Sequence, residues 1–188
     1  MNSKDKIEYI VNWIKNYTKT IKTQPVTLVI GVSGGVDSAL TSTLCAHTGL
    51  KTIAISMPIK QNSSQHDLSL RHLDYLKKNF DNVDCKIIEL DNIFKTFEST
   101  MQDFDSELAF ANSRSRLRMV TLYQVAQSNN GIVVGTGNKV EDFGVGFYTK
   151  YGDGGVDISP IADCTKSEVW DLATEIGVIK DIIDAAPT

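Results

Sequence analysis

Apolar and polar positions alternate along this chain in two rhythms, one of helices and one of buried strands. Between Lys4 and Lys22, Ile7, Ile10, Val11, Ile14 and Ile21 follow helical spacing with Lys and Asn between them, which predicts an amphipathic helix. Pro25 ends the linker after it. Val26 to Val32 is a continuous apolar run of the kind that forms a buried strand, and Ala39 to His47 reads as a helix. A second strand, Thr52 to Met57, is closed by Pro58. Ile59 to Ser64 is polar loop whose Ser pair offers an N-cap. Leu68, Leu73, Leu76 and Phe80 stripe the next helix, and Cys85 to Leu90 is a third strand. Asp91 is placed to cap a short helix carrying Ile93, Phe94, Phe97 and Met101. A long helix covers Ser106 to Gln127, with Asn112, Arg114, Arg116 and Arg118 crowded in its first half. Ile132 to Val134 is the fourth strand. Lys139 to Pro160 is a long Gly- and aromatic-rich connection without periodicity, and such loops are usually functional. Thr165 and Glu168 form a capping box for a last helix ending at Gly177.

Strands alternating with helices imply an α/β fold, a doubly wound parallel sheet with helices on both faces and right-handed crossovers. Ligands in such sheets lie beyond the carboxyl ends of the strands. Two Gly-rich turns share that edge, Ser33 to Ser38 after the first strand and Gly135 to Asn138 after the fourth.

The length, 188 residues, suits a single domain, residues 1–188. A net charge of −4 argues against a nucleic-acid partner. No apolar run spans a bilayer, and the N-terminus carries no leader pattern, so no membrane is expected. Cys45, Cys85 and Cys164 are scattered without metal or disulfide spacing, which fits reduced thiols in a cytoplasmic protein. His47, His66 and His72 belong to no motif and read as surface or packing residues.

Ser33-Gly34-Gly35-Val36-Asp37-Ser38, between a buried strand and a helix, is the geometry of a phosphate cradle. Successive backbone N–H groups form a concave nest, and the helix start adds its positive dipole end. The loop lacks the lysine of a Walker A motif and the G-x-G-x-x-G of a dinucleotide fold. It carries Asp37 instead, and an acid beside a phosphate requires a cation between them. The loop thus implies Mg²⁺ held partly by Asp37.

This loop resembles the pyrophosphate loop of the N-type ATP pyrophosphatases, and three further stretches narrow the resemblance to the NAD synthetase family. Asn112-Ser113-Arg114-Ser115-Arg116-Leu117-Arg118-Met119 is similar to the family's N-x-x-[AS]-R-x-R-M helix, Gly135 to Glu141 to its G-T-x-x-x-x-E motif, and Gly146 to Asp157 to its G-[FY]-[FY]-T-K-Y-G-D-G-x-x-D segment. The resemblance implies an adenine nucleotide alpha hydrolase-like fold. It implies ammonia-dependent NAD synthesis, in which ATP adenylates the nicotinate carboxylate of deamido-NAD and ammonia displaces AMP. ATP would be bound by Gly31, Val32, Ser33, Gly34, Gly35, Val36, Asp37, Ser38, Thr136, Lys166 and Thr188. Deamido-NAD would be bound by Arg116, Lys150 and Asp157, and Mg²⁺ by Asp37 and Glu141. No covalent nucleophile is expected, and the family's homodimer carries over as an implied partner. Relatives usually continue past Ala186-Pro187-Thr188, so the family's C-terminal segment is absent from this sequence.

Two other readings fit the loop. A GMP synthetase-type amidotransferase domain shares it, but the Thr149-Lys150-Tyr151-Gly152-Asp153 run argues against that. A non-catalytic adenine-nucleotide binding module would not need two metal-binding carboxylates, Asp37 and Glu141.

Overall fold

A computed structural model describes residues 1–60 and 63–185. The elements in order are α1 (Ser3–Lys19), β1 (Thr27–Gly31), α2 (Val36–His47), β2 (Thr52–Ser56), α3 (Ser63–Asn79), β3 (Val83–Ile87), α4 (Asp91–Thr100), α5 (Glu107–Ser128), β4 (Gly131–Val134), α6 (Lys166–Ile176) and α7 (Lys180–Ile183). A short 3₁₀ turn, Gln102–Phe104, joins α4 to α5, and a wide π-helical turn, Val140–Val145, follows β4.

The sheet is wholly parallel, in the order β3-β2-β1-β4. Val134 also bridges in parallel to Ile158, so the chain returns to the sheet edge after its long connection. Both faces are covered, and the strands show it by alternation. Leu28, Ile30, Ala54 and Val134 enter one apolar cluster, with residues of α1, α2, α3, α6 and α7. Val29, Ile53, Ile55 and Val133 enter the other, with residues of α4 and α5. A strand buried on both sides reads as an unbroken apolar run, which is why β1 and β2 stand out in the sequence. Full burial of each such Leu or Ile contributes about 1.5–3 kcal/mol.

Element ends shift where a local rule yields to tertiary structure. The third strand runs from Val83, not Cys85, because β3 pairs with β2 from Thr52↔Val83 onward. As an edge strand it leaves Asp84, Lys86 and Ile87 exposed, so its apolar signal is weak. Helix α4 begins at Asp91 itself. The Asp91 carboxylate accepts the Lys60 amide at 2.7 Å, so it ties two loops together and caps nothing. The expected Ser-pair cap of α3 falls at its start, next to residues outside the described ones. The capping box of α6 forms as expected, with Gly177 left-handed at its end. All three cysteines are free thiols. Among the described residues no helix is long and apolar enough to cross a membrane.

Strand order reverses between β1 and β4: β1 hands the chain to β2 on one side, and β4 lies on the other. The crevice at such a switch point lies beyond the carboxyl ends of the two strands, where the turns after β1 and β4 meet.

Candidate active site

Helix α2 starts earlier than its periodicity suggests, at Val36, so Asp37 and Ser38 stand in its first turn. Its N-cap is Gly35, and no side chain caps it. The amides of that first turn therefore face the crevice with the helix dipole behind them. Gly34 sits at φ 93°, and a side chain there would run into the backbone of α3 at Gln65 and Ser69. Ser33 and Ser38 brace the loop: their hydroxyls lie 3.1 Å apart, and Ser38 Oγ donates to the Gly35 carbonyl at 2.9 Å. Helix α2 is buried along nearly its whole length although it is rich in Ser and Thr. Thr41, Ser42 and Thr43 turn their hydroxyls back onto the carbonyls of Asp37, Ser38 and Ala39, so none of the three hydroxyls is left without a partner.

The turn after β4 brings a second acid to the same place. Lys166, at the start of α6, reaches back so that its ammonium lies 2.5 Å from Asp37 Oδ2 and 3.0 Å from Glu141 Oε1. Burial pulls the Lys166 ammonium down, but its bonds to Asp37 and Glu141 outweigh burial and hold it above the ordinary lysine value. Asp142 stands beside them in the space a side chain at Gly137 would take. Burial, then the charges of Asp153, Glu141 and Asp37, raises the Asp142 carboxyl above its usual range.

Two carboxylates that converge on one cation form a hard-oxygen pair that suits Mg²⁺. Among the described residues no group of three His, Cys, Asp or Glu side chains is placed to hold a metal. The pair would thus supply part of an octahedron, leaving the remaining positions to phosphate oxygens and water.

Two cavities meet here. One, of about 410 Å³, runs under Gly31, Val32 and Thr136 to Met57 and Arg118. The other, of about 650 Å³, holds the Gly34–Ser38 turn, Glu141, Asp142 and Lys166. Ser33, Ser38, Gln65, Thr136 and Asp153 line both. Every described residue expected to bind ATP or metal lines one or both cavities; Thr188 lies outside the described residues.

The residues expected to bind deamido-NAD, Arg116, Lys150 and Asp157, line neither cavity. Arg116 Nε donates to the Lys150 carbonyl at 3.1 Å, which joins the first two. Asp157 stands apart: it accepts the Val133 amide at 2.7 Å and the Tyr123 hydroxyl at 3.1 Å. Burial and the Asp157 charge push the Tyr123 phenol up to about 12. The arginines of α5 divide by face as their spacing predicts. Arg114 stacks over Phe94, and Arg118 donates to the Met57 carbonyl at 3.0 Å, on the sheet side.

Three side chains inside the recognised motifs, Asn112, Ser115 and Asp153, have a role that the motifs do not show. Ser115 and Asn112 anchor the aromatic connection to α5: Ser115 Oγ donates to Asp153 Oδ1 at 2.7 Å, and Thr149 Oγ1 donates to Asn112 Oδ1 at 2.7 Å. Asp153 thereby reaches the junction of both cavities. Their signal in the sequence was weak, because a small polar residue on a basic helix resembles solvated surface.

A family model described as NAD synthase matches residues 6–188. The chain belongs to the NAD synthase family. It is 36% identical to the NH(3)-dependent NAD(+) synthetase of Carboxydothermus hydrogenoformans over 193 aligned residues, covering 100% of this chain and 76% of the relative. It is 35% identical to the enzyme of the same description from Mesoplasma florum, covering 100% and 75%. Among solved structures, NMN synthetase from Francisella tularensis superposes with a TM-score of 0.91 at 34% identity, over 100% of this chain and 76% of that one. NH3-dependent NAD synthetase from Campylobacter jejuni, solved with a nitrate ion, superposes at 0.86 and 31% identity, over 97% and 77%. These neighbours share the doubly wound parallel fold expected from the sequence.

Proposed function

We propose that this protein is an ammonia-dependent NAD synthetase, a ligase that forms a C–N bond at the expense of ATP. The observation that carries the reading is the convergence of Asp37, Glu141 and Lys166 on one point beside the uncapped start of α2, in a chain of this family. A helix start with two acids and a lysine suits a polyphosphate with its cation better than a phosphate alone.

In this reading Gly31 to Ser38, Thr136 and Lys166 hold ATP, and Asp37 and Glu141 hold Mg²⁺. Bound Mg²⁺ supplies neutralisation of the charge on the polyphosphate. The loop amides aim at the phosphate oxygens, and Lys166 exchanges its carboxylate partners for phosphate as nucleotide enters. A nicotinate carboxylate oxygen attacks the α-phosphorus, the bond to the bridging oxygen breaks, and pyrophosphate leaves. Ammonia nitrogen then attacks the acyl carbon, loses a proton, and the carbon–oxygen bond to AMP breaks. The protein contributes no covalent nucleophile; it positions the reactants and balances charge.

Arg116 and Lys150 offer the cationic contacts for deamido-NAD. Arg116 suits oxyanions because its planar fork binds them bidentately. Asp157, already engaged by Val133 and Tyr123, would meet ribose hydroxyls with its remaining lone pairs. The exposed apolar residues Leu108 and Val120 on α5, with Phe104 in the turn before it, support a homodimer built on that helix.

The likeness to an NMN synthetase favours a second reading, amidation of nicotinate mononucleotide. Assays with ATP, Mg²⁺ and ammonium, run in parallel on deamido-NAD and nicotinate mononucleotide, separate the two. A higher kcat/KM on deamido-NAD is expected, and a preference for the mononucleotide would replace the first reading with the second.

A further inference from the structure

We infer that Asn138 is the positioning residue that sets the two metal-binding carboxylates at their working distance; this rests on the reading of Asp37 and Glu141 as the Mg²⁺ pair. The Asn138 side chain is fully buried, at 0% exposure, in the turn that leaves β4. Its Nδ2 donates to Asp37 Oδ1 at 2.8 Å. Its Oδ1 accepts the amides of Val140 and Glu141 at 3.0 and 3.2 Å. One carboxamide therefore grips the Asp37 side chain and the backbone that carries Glu141, across 101 residues of sequence.

The chemistry of the group matters as much as its reach. An amide donor orients a carboxylate without adding a charge of its own, and it leaves Oδ2 turned toward the cation, now the Lys166 ammonium. A lysine at this position would neutralise Asp37, and an aspartate would repel it. A purely structural role needs only half of the side chain. The acceptor alone caps the turn that begins at Val140, as Ser or Asn does at helix starts. The donor bond to Asp37 adds nothing to that cap. Buried and fixed at both ends, it serves the carboxylate pair.

Two substitutions separate the roles. Asn138→Ser keeps a capping oxygen but is too short to reach Asp37, and Asn138→Ala loses both. The readout is the Mg²⁺ concentration that half-saturates ATP binding in calorimetry, checked by Mn²⁺ binding in electron paramagnetic resonance, with Asp37→Asn as reference. Both Asn138 variants should need about tenfold more metal, the loss of one hydrogen bond to a charged group, while ATP binding in EDTA changes less than about twofold. A Ser variant that behaves as wild type makes Asn138 a cap only and overturns the inference. So does a metal shift in Asp37→Asn alone. If Asp37→Asn shifts nothing either, the metal reading itself fails, and the inference with it. Failure of both Asn138 variants to fold would make Asn138 a folding residue and overturn the proposal as well.

Discussion

The two halves of the candidate site are built on opposite plans. The phosphate half hangs on α2, buried between the sheet and its neighbours, with its loop braced by serine hydroxyls. The aromatic half, residues 146–155, leaves Phe147 79% and Tyr151 65% exposed, and side chains of α5 pin it. In the proposed function the difference follows from what each half must do. A polyphosphate is met by fixed amide dipoles, which act only if they do not move. A larger substrate must enter and leave past a segment held by a few replaceable bonds. Precision in the first half comes from the core, and adaptability in the second comes from its absence.

The largest effect should come from the rigid half. Asp37→Asn keeps the size of the side chain but removes the charge for Mg²⁺. Pyrophosphate release should fall more than about a hundredfold while the melting temperature stays near that of wild type, the signature of a lost electrostatic contact in the transition state. Near-normal release by the folded variant would detach Asp37 from the chemistry.

Next comes the aromatic half. Arg116→Ala should raise the KM for deamido-NAD about ten- to a hundredfold, the worth of a charge-assisted contact, and leave the KM for ATP nearly unchanged. Equal effects on both substrates would reduce Arg116 to its bond with the Lys150 carbonyl. A smaller change is expected for Asn112→Ala, which removes a neutral partner of Thr149, worth about 0.5–1.5 kcal/mol. Hydrogen exchange should quicken across residues 146–155 in that variant while α2 keeps its protection. Equal quickening in both would show one cooperative unit instead of two.

The smallest effect is a slope. His72 is buried against α2, with Nε2 2.8 Å from Ser42 Oγ, and burial pushes it down to about 4. An unfolded histidine titrates near about 6.5. Below that pH the unfolded chain takes up a proton that the folded chain refuses, so stability falls as pH drops. The decline from this group ends near about 4, where folded His72 is also protonated. His72→Gln should flatten that part of the melting-temperature profile; an unchanged profile would place the acid sensitivity elsewhere.

The same contrast explains what the sequence made legible. The phosphate half announces itself, because a buried strand, paired glycines and Asp37 are contiguous and each obeys a local rule. Glu141 and Lys166 could be placed only through family resemblance, since the geometry that joins them to Asp37 closes across the switch point of the sheet. Asn138 sat inside a recognised motif, yet its role depends on a partner in another element. Ser115 and Asp153 needed the docking of residues 149–153 onto α5, which no periodicity encodes. Among the strands, β3 starts two residues and ends three residues before the span its pattern predicts, because an edge strand carries little apolar pattern. The histidines read as surface or packing residues, and His72 is a packing one, with a hydrogen bond that no motif shows.

The central claim is that a carboxylate oxygen attacks the α-phosphorus of ATP in this crevice. Deamido-NAD labelled with ¹⁸O in its nicotinate carboxylate tests it directly, in the presence of ATP, Mg²⁺ and ammonium. The acyl-adenylate route predicts AMP that carries one ¹⁸O per turnover, NAD that keeps the other in its amide carbonyl, and unlabelled pyrophosphate. Label in inorganic phosphate, with ADP as the nucleotide product, would contradict it.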